Sequence, residues 1–489
     1  MMLTVPSRGS SGTTVRVSVD SAGNQGNDMT WYPTGISADG RYVVLFSDAT
    51  NLVSGDTNGK RDVFVHDRQS GVTERVSLDS AGDQTNEASE GAGISADGRY
   101  VVLFSDASNL VAGDTNGVRD VFVHDRQSGI TERVSLDSAE NQGNSDSLSG
   151  SVSDDGRYVA FRSLASNLVP GDTNGAQDVF VRDRLTNVTE RVSVDSGGSQ
   201  ANGVSFDPSI SGDGRYVAFN SEASNLVPST PSGLQHLFVH DRLTGTTELV
   251  ARDSYFPSIS SNGRYVAFHS WATLVPEDTN GASDVYVYDR LTGITGRVSV
   301  ASDGSEADGS SNPTAAENAI SADGRYVAFQ SWASNLVAND TNGTLDVFVH
   351  DRLTGATERV SVDSAGNEVG DESKFAMISA DGRYVAFWSF DSNLVPDDTN
   401  GTYDVFLHDR LAPTPTPTPT PTATPSPTPT AIPSPSPIAV GGIVELRTAA
   451  DAQRDQPASG SSLPLQASVA IGLLVIGAGG LYAVRMRRG

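Results

Sequence analysis

Ile94-Ser-Ala-Asp-Gly-Arg-Tyr-Val-Val-Leu-Phe104 decides the fold, because close copies of this phrase recur along most of the chain. The copies begin at Ile36, Ile94, Val152, Ile210, Ile259, Ile320 and Ile378. Four of the six intervals between them are 58 residues long, and the other two are 49 and 61. A period of this size indicates an array of supersecondary units, since one such unit cannot bury its own apolar face.

One repeat contains four predicted strands and no helical periodicity. Arg99 to Phe104 is apolar on both faces, as in a strand buried on both sides. Asp120 to Asp125 is rich in β-branched and aromatic residues, and Thr131 to Asp137 alternates like a half-exposed outer strand. A short strand of small residues precedes the Ala96-Asp97-Gly98 turn. Four strands at this period predict an all-β protein, a β-propeller with its small strand innermost.

The two ends of the array predict a closed ring of seven blades. Thr13-Thr-Val-Arg-Val-Ser-Val-Asp20 matches an outermost strand but precedes the first repeat. The seventh repeat stops after Tyr403-Asp-Val-Phe-Leu-His-Asp-Arg410 and lacks that strand. We therefore expect the N-terminal strand to complete the last blade, which removes an open sheet edge. The predicted propeller domain spans residues 13–410.

The repeated phrase, followed by Asp-Val-Phe-Val-His-Asp-Arg and a glycine turn, resembles the TolB-like, WD-repeat-like β-propeller motif. The resemblance covers about residues 13–410 and implies a bacterial propeller, often an exported one. TolB itself has six blades and an N-terminal α/β domain, whereas this chain has seven repeats. The partnership with the Tol system is therefore not carried over, and function has to be argued from a site.

The remainder of the chain predicts a stalk and a membrane anchor. Residues 411–437 are rich in Pro, Thr and Ser, and 25 residues of polyproline II extend roughly 78 Å. Residues 438–466 form a polar juxtamembrane connector. Residues 467–484 carry no charge and are long enough to span a membrane. The basic tail, residues 485–489, predicts a cytoplasmic C-terminus and an extracytoplasmic propeller.

Location and composition restrict the partners. The formal net charge of −27 argues against nucleic acid, which requires basic patches. The chain has no cysteine, so thiolate chemistry and disulfides are excluded. An extracytoplasmic propeller needs an export signal, and Met1 to Ser10 does not have one. We expect the signal peptide to lie upstream of this sequence; a tail-anchored cytosolic scaffold is the alternative.

A repeated Asp-Thr-Asn-Gly-x-x-Asp loop is the candidate metal site. Each copy offers two carboxylates and one amide oxygen, which are ligands that Ca²⁺ accepts, and resembles a shorter form of the calcium loops of integrin-type propellers. Asn-Gly turn chemistry explains the pattern equally well. The fourth repeat has lost both Asp residues and the Asn together, as a set of ligands would. The predicted calcium ligands are Asp56, Asn58, Asp62, Asp114, Asn116, Asp120, Asp172, Asn174, Asp178, Asp278, Asn280, Asp284, Asp340, Asn342, Asp346, Asp398, Asn400 and Asp404.

These loops share one face with the long connections between blades, so we expect a protein or glycan ligand on this long-loop face. The sequence predicts a non-catalytic extracellular binding or adhesion module, with a polysaccharide hydrolase or lyase as the alternative. Asp207 and Glu317 are the two acids that could face the channel mouth, and two such acids are a weak glycosidase constellation. The histidines at one repeat position are predicted to be structural: His66, His124, His240, His350 and His408.

Overall fold

The computed structural model describes residues 12–312 and 319–411. Each repeat forms a four-stranded antiparallel sheet, and seven such sheets are present, which confirms the predicted propeller. Among the described residues no helix is long and apolar enough to cross a membrane. The predicted stalk, connector, membrane segment and basic tail all lie outside the described residues.

The strands run in chain order from the innermost to the outermost position of each blade. Blade 1 contains β2 (Gly35–Ile36), β3 (Tyr42–Ser47), β4 (Asp62–Asp67) and β5 (Val72–Arg75). Blade 2 contains β6 (Ser89–Ile94), β7 (Tyr100–Ser105), β8 (Asp120–Asp125) and β9 (Ile130–Arg133). Blade 3 contains β10 (Ser147–Val152), β11 (Tyr158–Ser163), β12 (Asp178–Asp183) and β13 (Val188–Arg191). Blade 4 contains β14 (Ser205–Ile210), β15 (Tyr216–Ser221), β16 (His236–Asp241) and β17 (Thr246–Arg252).

The last three blades repeat this order. Blade 5 contains β18 (Ser254–Ile259), β19 (Tyr265–Ser270), β20 (Asp284–Asp289) and β21 (Ile294–Arg297). Blade 6 contains β22 (Ser311–Asn312), β23 (Tyr326–Ser331), β24 (Asp346–Asp351) and β25 (Ala356–Arg359). Blade 7 contains β26 (Ser373–Ile378), β27 (Tyr384–Ser389) and β28 (Asp404–Asp409), and its outermost strand is β1 (Thr13–Arg16).

The N-terminal strand closes the ring as predicted. Thr13 pairs with Asp409 and Arg16 with Phe406 in antiparallel register. The strand is shorter than expected, as are the other outermost strands except β17 of blade 4. In blade 2 the strand ends at Arg133, because the Asp137 carboxylate accepts hydrogen bonds from the backbone of Ala139 and Asn141 and turns the chain.

Aromatic and aliphatic side chains fill the spaces between adjacent sheets. Phe122 of blade 2, for example, lies in the same buried cluster as Val44 and Val63 of blade 1. Seven such clusters follow one another around the ring, and one of them joins blade 7 to blade 1 through Met377 and Ile36. The core is therefore a set of blade-to-blade interfaces, which is why no single repeat could fold alone.

A cation–aromatic contact links each blade to the next at the short-turn face. In blade 1 the Tyr42 ring lies between Arg41 of its own blade, at 4.7 Å from guanidinium carbon to ring centroid, and Arg126 of blade 2, at 4.1 Å. Asp67 holds Arg41 in place through two hydrogen bonds of 2.9 and 2.7 Å. The inter-blade contact occurs at all seven interfaces: Arg68 on Tyr384, Arg126 on Tyr42, Arg184 on Tyr100, Arg242 on Tyr158, Arg290 on Tyr216, Arg352 on Tyr265 and Arg410 on Tyr326.

The channel is narrow at this same face. Seven branched apolar residues, one from each repeat, line an axial cavity of about 80 Å³ together with Ala38, Ala96 and neighbouring small residues. They are Ile36, Ile94, Val152, Ile210, Ile259, Ile320 and Ile378. Just beyond them, backbone amides donate to carbonyls of the next blade, as in Ala38 N to Ala96 O at 3.0 Å and Ala380 N to Ala38 O at 3.1 Å. These bonds link the blades around the axis at the short-turn face.

Replacing Gly98 with alanine tests the inter-blade contact. Gly98 has φ +75°, and a Cβ atom there would overlap the Tyr42 ring of the preceding blade. Gly129 is the matched control, since it has φ +74° and open space around it. We expect Gly129→Ala to cost about 1 kcal/mol of unfolding free energy from backbone strain alone. Gly98→Ala should cost about 1–3 kcal/mol more, because the ring is displaced from its two arginines. Equal melting temperatures for the two variants would contradict this role of the tyrosine.

Candidate functional site

In six of the seven blades, all except blade 4, the predicted calcium residues come together around an arginine from the outermost strand. In blade 2, Arg133 lies 3.2 Å from Asp114 and 3.0 Å from Asp120, and all three side chains are buried. The arginine reaches the loop because Arg133 pairs with Phe122 in the sheet, two residues from Asp120. The equivalent arginines are Arg75 for Asp56 and Asp62, Arg191 for Asp172 and Asp178, Arg297 for Asp278 and Asp284, Arg359 for Asp340 and Asp346, and Arg16 for Asp398 and Asp404.

The asparagine of the loop presents its nitrogen to the second carboxylate. Asn116 Nδ2 donates to Asp120 at 2.8 Å, and Asn116 Oδ1 accepts from the Val118 backbone at 3.3 Å. The same nitrogen-to-carboxylate bond is made by Asn58, Asn174, Asn280, Asn342 and Asn400. The guanidinium and the amide thus supply the charge and the donors that a cation would otherwise supply. We refer to this group of residues as the arginine–aspartate cluster.

Blades 5 and 6 add a third carboxylate to the cluster. Glu306 and Glu368 occupy the position that Gln84, Gln142 and Gln200 hold in blades 1 to 3. Carboxylate oxygens of Asp278, Asp284 and Glu306 lie within 4.8 Å of one another, as do those of Asp340, Asp346 and Glu368. Burial, together with the neighbouring carboxylate of Asp346, raises the pKa of Asp340 to about 6. Burial alone would raise the pKa of Glu368, but hydrogen bonds from Thr341 and the Arg359 ion pair hold it at about 2.

Blade 4 has lost the arginine together with the carboxylates. Thr230, Ser232 and His236 stand where blade 3 has Asp172, Asn174 and Asp178, and the outermost strand carries Leu249 in place of Arg191. Ala251 likewise replaces Ser193, whose hydroxyl donates to Asp178 in blade 3. Joint loss of the Asp residues is therefore what an internal ion-pair network requires, since a buried guanidinium or carboxylate left alone is costly. Calcium binding by these residues stays a prediction.

The repeated histidines lie in the third strands and are bonded within their own blades. His124 Nδ1 lies 2.8 Å from the Thr131 hydroxyl, which itself donates to the Leu78 carbonyl. Because that hydroxyl donates elsewhere, Nδ1 acts as the donor to it. Burial lowers the pKa of His124, and it lowers that of His350 to about 4. These histidines stabilise the sheet in the neutral form.

A position that the sequence analysis did not single out marks the channel mouth. The second strands read Tyr-Val-Ala-Phe-x-Ser with little variation, and x, the residue before the last serine, differs in nearly every blade. This position lies at the long-loop end of the strand and pairs with the first strand, as His269 does with Tyr255. Its residues are Phe46, Phe104, Arg162, Asn220, His269, Gln330 and Trp388. Variation at one position of otherwise repeated strands was the available signal.

Three consecutive blades carry polar side chains with unpaired atoms at this position. Asn220 is fully buried; its Nδ2 donates to the Ser254 carbonyl at 2.7 Å, while Oδ1 has no hydrogen-bond partner among the described residues. His269 is 6% exposed and its Nδ1 is likewise unpaired. Arg162 Nε is also unpaired within the described residues. Unpaired buried polar atoms cost free energy, and the arginine–aspartate cluster also has them, at Nε of Arg16, Arg75, Arg191 and Arg297. At the mouth the three atoms belong to three different types of side chain.

Asp207 of blade 4 lies beside this polar group. It occupies a bulge of the first strand at φ +50°, between Phe206 and Ser209, and its carboxylate lies 3.8 Å from Arg162. Burial raises the pKa of Asp207, and the Arg162 charge opposes the rise. Burial also lowers the pKa of His269 to about 3, so its imidazole is neutral. Glu317, the other acid noted in the sequence, lies outside the described residues.

Aromatic rings form the other side of the mouth. Tyr32 of blade 1 stacks on Phe375 of blade 7 with centroids 4.5 Å apart, and Trp388 stacks on Tyr403 at 3.9 Å. Trp388 Nε1 donates to the Thr30 carbonyl of blade 1 at 2.6 Å, which joins the two blades that close the ring. One side of the mouth is therefore lined by stacked aromatic rings, and the other by polar side chains with unpaired atoms.

Comparison with known proteins supports the fold and no more. No protein-family model matches the chain, and no curated protein is similar to it. A TolB structure from Agrobacterium tumefaciens is 18% identical, with 55% of this chain and 80% of that chain covered and a TM-score of 0.35. An oligogalacturonate lyase from Vibrio parahaemolyticus is 12% identical (81% and 96% covered, TM-score 0.48). An acylaminoacyl peptidase from Pyrococcus horikoshii is 11% identical (74% and 49% covered, TM-score 0.45).

These comparisons correct the predicted function. The sequence favoured a non-catalytic adhesion module, and that prediction is wrong in this form. Solved structures of similar fold include a lyase and a peptidase as well as TolB, so a propeller scaffold gives no ground for a non-catalytic adhesion role. Function has to be argued from the residues of the mouth.

Removing the arginine tests whether the arginine–aspartate cluster is structural. Arg133→Met leaves Asp114 and Asp120 buried without a counter-charge, and we expect a loss of about 3–5 kcal/mol of unfolding free energy at pH 7. Burial already raises the pKa of Asp120 above its ordinary value of 3.8. A raised folded-state pKa favours folding at low pH, so the deficit of the variant should shrink as pH falls from 7 toward 4. Denaturant unfolding of both the variant and the original protein between pH 7 and pH 4 measures this difference in unfolding free energy.

The control variant gives blade 2 the residues of blade 4: Asp114→Thr, Asn116→Ser, Asp120→His, Arg133→Leu and Ser135→Ala. It removes all charges together, so it should destabilise the protein less than Arg133→Met alone. A larger loss in this variant than in the single one would contradict the ion-pair interpretation.

Calcium binding has its own test. If the loops bind calcium, the melting temperature should rise with calcium and fall with chelator by more than equal ionic strength from NaCl produces. Blades 5 and 6 have the most negative clusters, so Glu306→Gln with Glu368→Gln should remove most of the rise. Calorimetry that finds no binding at millimolar calcium would establish that the loops do not bind it.

Proposed function

We propose that the protein is a ligand-binding propeller whose channel mouth takes the end of a neutral glycan. One observation carries the proposal: Arg162, Asn220 and His269 occupy one register position in three consecutive blades, and each has an unpaired polar atom. Binding sites are concave surfaces with a few placed polar groups among apolar ones, and the mouth has this composition.

The unpaired atoms match the chemistry of sugar hydroxyls. Arg162 Nε donates a hydrogen bond and Asn220 Oδ1 accepts one, and a hydroxyl does both. The neutral His269 imidazole can do either. Rings flank it: the Tyr255 and Phe256 centroids lie 5.2 and 5.5 Å from the imidazole centroid. Aromatic faces pack against the apolar C–H face of a sugar ring, which a phosphate or a small inorganic anion does not have.

The charges of the mouth favour a neutral ligand over a polyanion. Arg61 is paired with Asp48 at 3.2 Å and with Glu90 at 3.4 Å, and Arg119 is paired with Asp106 at 2.6 Å. Arg162 likewise faces a counter-charge, the Asp207 carboxylate at 3.8 Å, so a carboxylate already opposes each of these three guanidinium groups. The net charge of −27 further repels polyanions.

Location and catalysis remain predictions. The apolar segment of residues 467–484 and the Pro/Thr stalk are the grounds for an extracytoplasmic, membrane-anchored propeller. The expectation that the chain is not an enzyme rests on the absence of a recognised catalytic motif in the sequence. Mass spectrometry of oligosaccharides incubated with the protein would test the latter, because shortened chains would establish catalysis.

His269→Phe is the direct test of the mouth. Blades 1 and 2 already have phenylalanine at this position, and the variant removes an unpaired buried atom, so we expect equal or higher stability. Losing one hydrogen bond to the ligand should weaken binding of neutral oligosaccharides by about tenfold. Titration calorimetry with neutral β-1,4-linked glucose and N-acetylglucosamine oligomers measures this.

Leu291→Ala is the control for this experiment, because Leu291 lies in a tight turn of the opposite face and is 75% exposed. Its binding should equal that of the original protein. If His269→Phe binds every oligomer as well as the original protein does, or if no neutral oligosaccharide binds at millimolar concentration, the proposal is wrong.

A further inference from the structure

The residue that follows the last serine of each second strand lies at the rim of the mouth. In blades 1 and 2 it is Asp48 and Asp106, and both are paired with arginines. In blades 5, 6 and 7 it is Trp271, Trp332 and Phe390, which are 55%, 53% and 43% exposed. Three consecutive blades thus present a large aromatic ring at the same register, and we call these three residues the aromatic arc.

The arc continues the mouth outward. Trp271 lies two residues after His269, and Trp332 lies two residues after Gln330, so each ring stands next to a mouth position on the same chain segment. Among the described residues neither indole has a ring-stacking partner, whereas Trp388 at the mouth is stacked and buried. Aromatic residues, tryptophan included, are enriched at binding interfaces relative to the rest of the protein surface.

The form of the arc indicates what covers it. Among the described residues no two of these three rings contact each other; Phe390 contacts Tyr403 instead. Small and polar residues follow the rings, such as Ala333 and Ser334 after Trp332, so the rings are separate platforms rather than one apolar patch. A protein interface core or a membrane surface requires contiguous apolar area, and an anionic membrane surface would also be repelled by the net charge of −27. Separate flat platforms suit a chain of separate flat units, which is what an oligosaccharide presents.

We propose that the aromatic arc holds the successive sugar rings of an extended neutral glycan whose end lies in the mouth. This inference rests on the proposed function and adds a length requirement to it. Short oligomers contact the mouth alone, and longer oligomers also stack on Trp271 and Trp332. Affinity should therefore rise with chain length up to the span of the arc.

Tryptophan fluorescence reports on the arc with little background. The chain has four tryptophans: Trp271 and Trp332 of the arc, Trp388 at the mouth, and Trp31. Trp31 also lies at the rim, since its indole nitrogen donates to the rim residue Asp48 at 2.9 Å. Binding of a cello-hexaose or chito-hexaose probe should quench the fluorescence and protect it from iodide. Binding of the corresponding disaccharide should leave iodide access to the two exposed indoles unchanged.

The deciding variants are Trp271→Ala and Trp332→Ala, each with the Phe variant as its conservative partner. Both side chains are exposed, so melting temperatures should not change. We expect each Ala variant to weaken hexamer binding by about tenfold and to leave disaccharide binding unchanged. Trp271→Phe should recover most of the hexamer affinity, since phenylalanine is the natural residue at this position of blade 7. Leu291→Ala again serves as the control.

The outcomes separate the two proposals. If His269→Phe weakens both oligomers while the Trp variants bind the hexamer normally, the mouth is a glycan site and the aromatic arc is not part of it. If the Trp variants weaken binding of the hexamer and His269→Phe has no effect on binding, the aromatic arc is confirmed as a glycan site and the proposal for the mouth is wrong. If neither oligomer binds the original protein, both proposals are overturned.

Discussion

Each tyrosine at the start of a second strand lies between two guanidinium groups, one from its own blade and one from the next blade. The contact sets the positions of several neighbours at once. The aspartate at the end of the third strand fixes the first arginine, the adjacent arginine reaches the neighbouring blade, and the turn glycine leaves room for the ring. These residues form the phrase that recurs seven times, so its repetition follows from one interface geometry. Because the pair Arg68 and Tyr384 joins blade 1 to blade 7, the same contact also closes the ring.

The fold could be predicted from local pattern because strand order in a propeller follows chain order. Alternation, turn residues and the unmatched strand at Thr13 were enough to predict seven blades and their closure. The arginine–aspartate cluster could not be predicted in full. Spacing brought Asp56 and Asp62 together, but only the sheet register, which pairs Phe64 with Arg75, shows that a guanidinium reaches them. The mouth residues could not be predicted for another reason. They occupy the position of the second strand that varies most between repeats, and a search for repeated motifs does not detect such a position.

The positions that vary among the repeats differ physically from the positions that do not. Interface positions such as Tyr42 or Gly98 cannot change in one blade without a cost at the neighbouring blade. Positions that face the channel mouth meet no equivalent partner, so they can change one blade at a time. The side chains that occupy them nonetheless pair across blades: Asn220 bonds to Ser254, Gln330 to the Phe375 amide and Trp388 to Thr30. Some of these side chains therefore stabilise the ring. Stabilising the ring does not account for the unpaired atoms of Arg162, Asn220 and His269.

Blade 4 differs from the other blades both in its arginine–aspartate cluster and in its residues at the channel mouth. Its arginine–aspartate cluster has been replaced as a unit, and its connection to blade 5 is reduced to Asp253 between β17 and β18. The sheet nevertheless keeps its four strands and its inter-blade contacts through Arg242 and Tyr158. The cluster is thus a local brace for the long loops rather than a condition of the fold. The same blade contributes Asp207 and Asn220 to the mouth; Asn220 is fully buried there, and Asp207 lies in the bulge of the first strand. Loss of the arginine together with its carboxylates left this sheet intact, as expected when a buried ion-pair network is replaced as a unit and no charge stays unpaired.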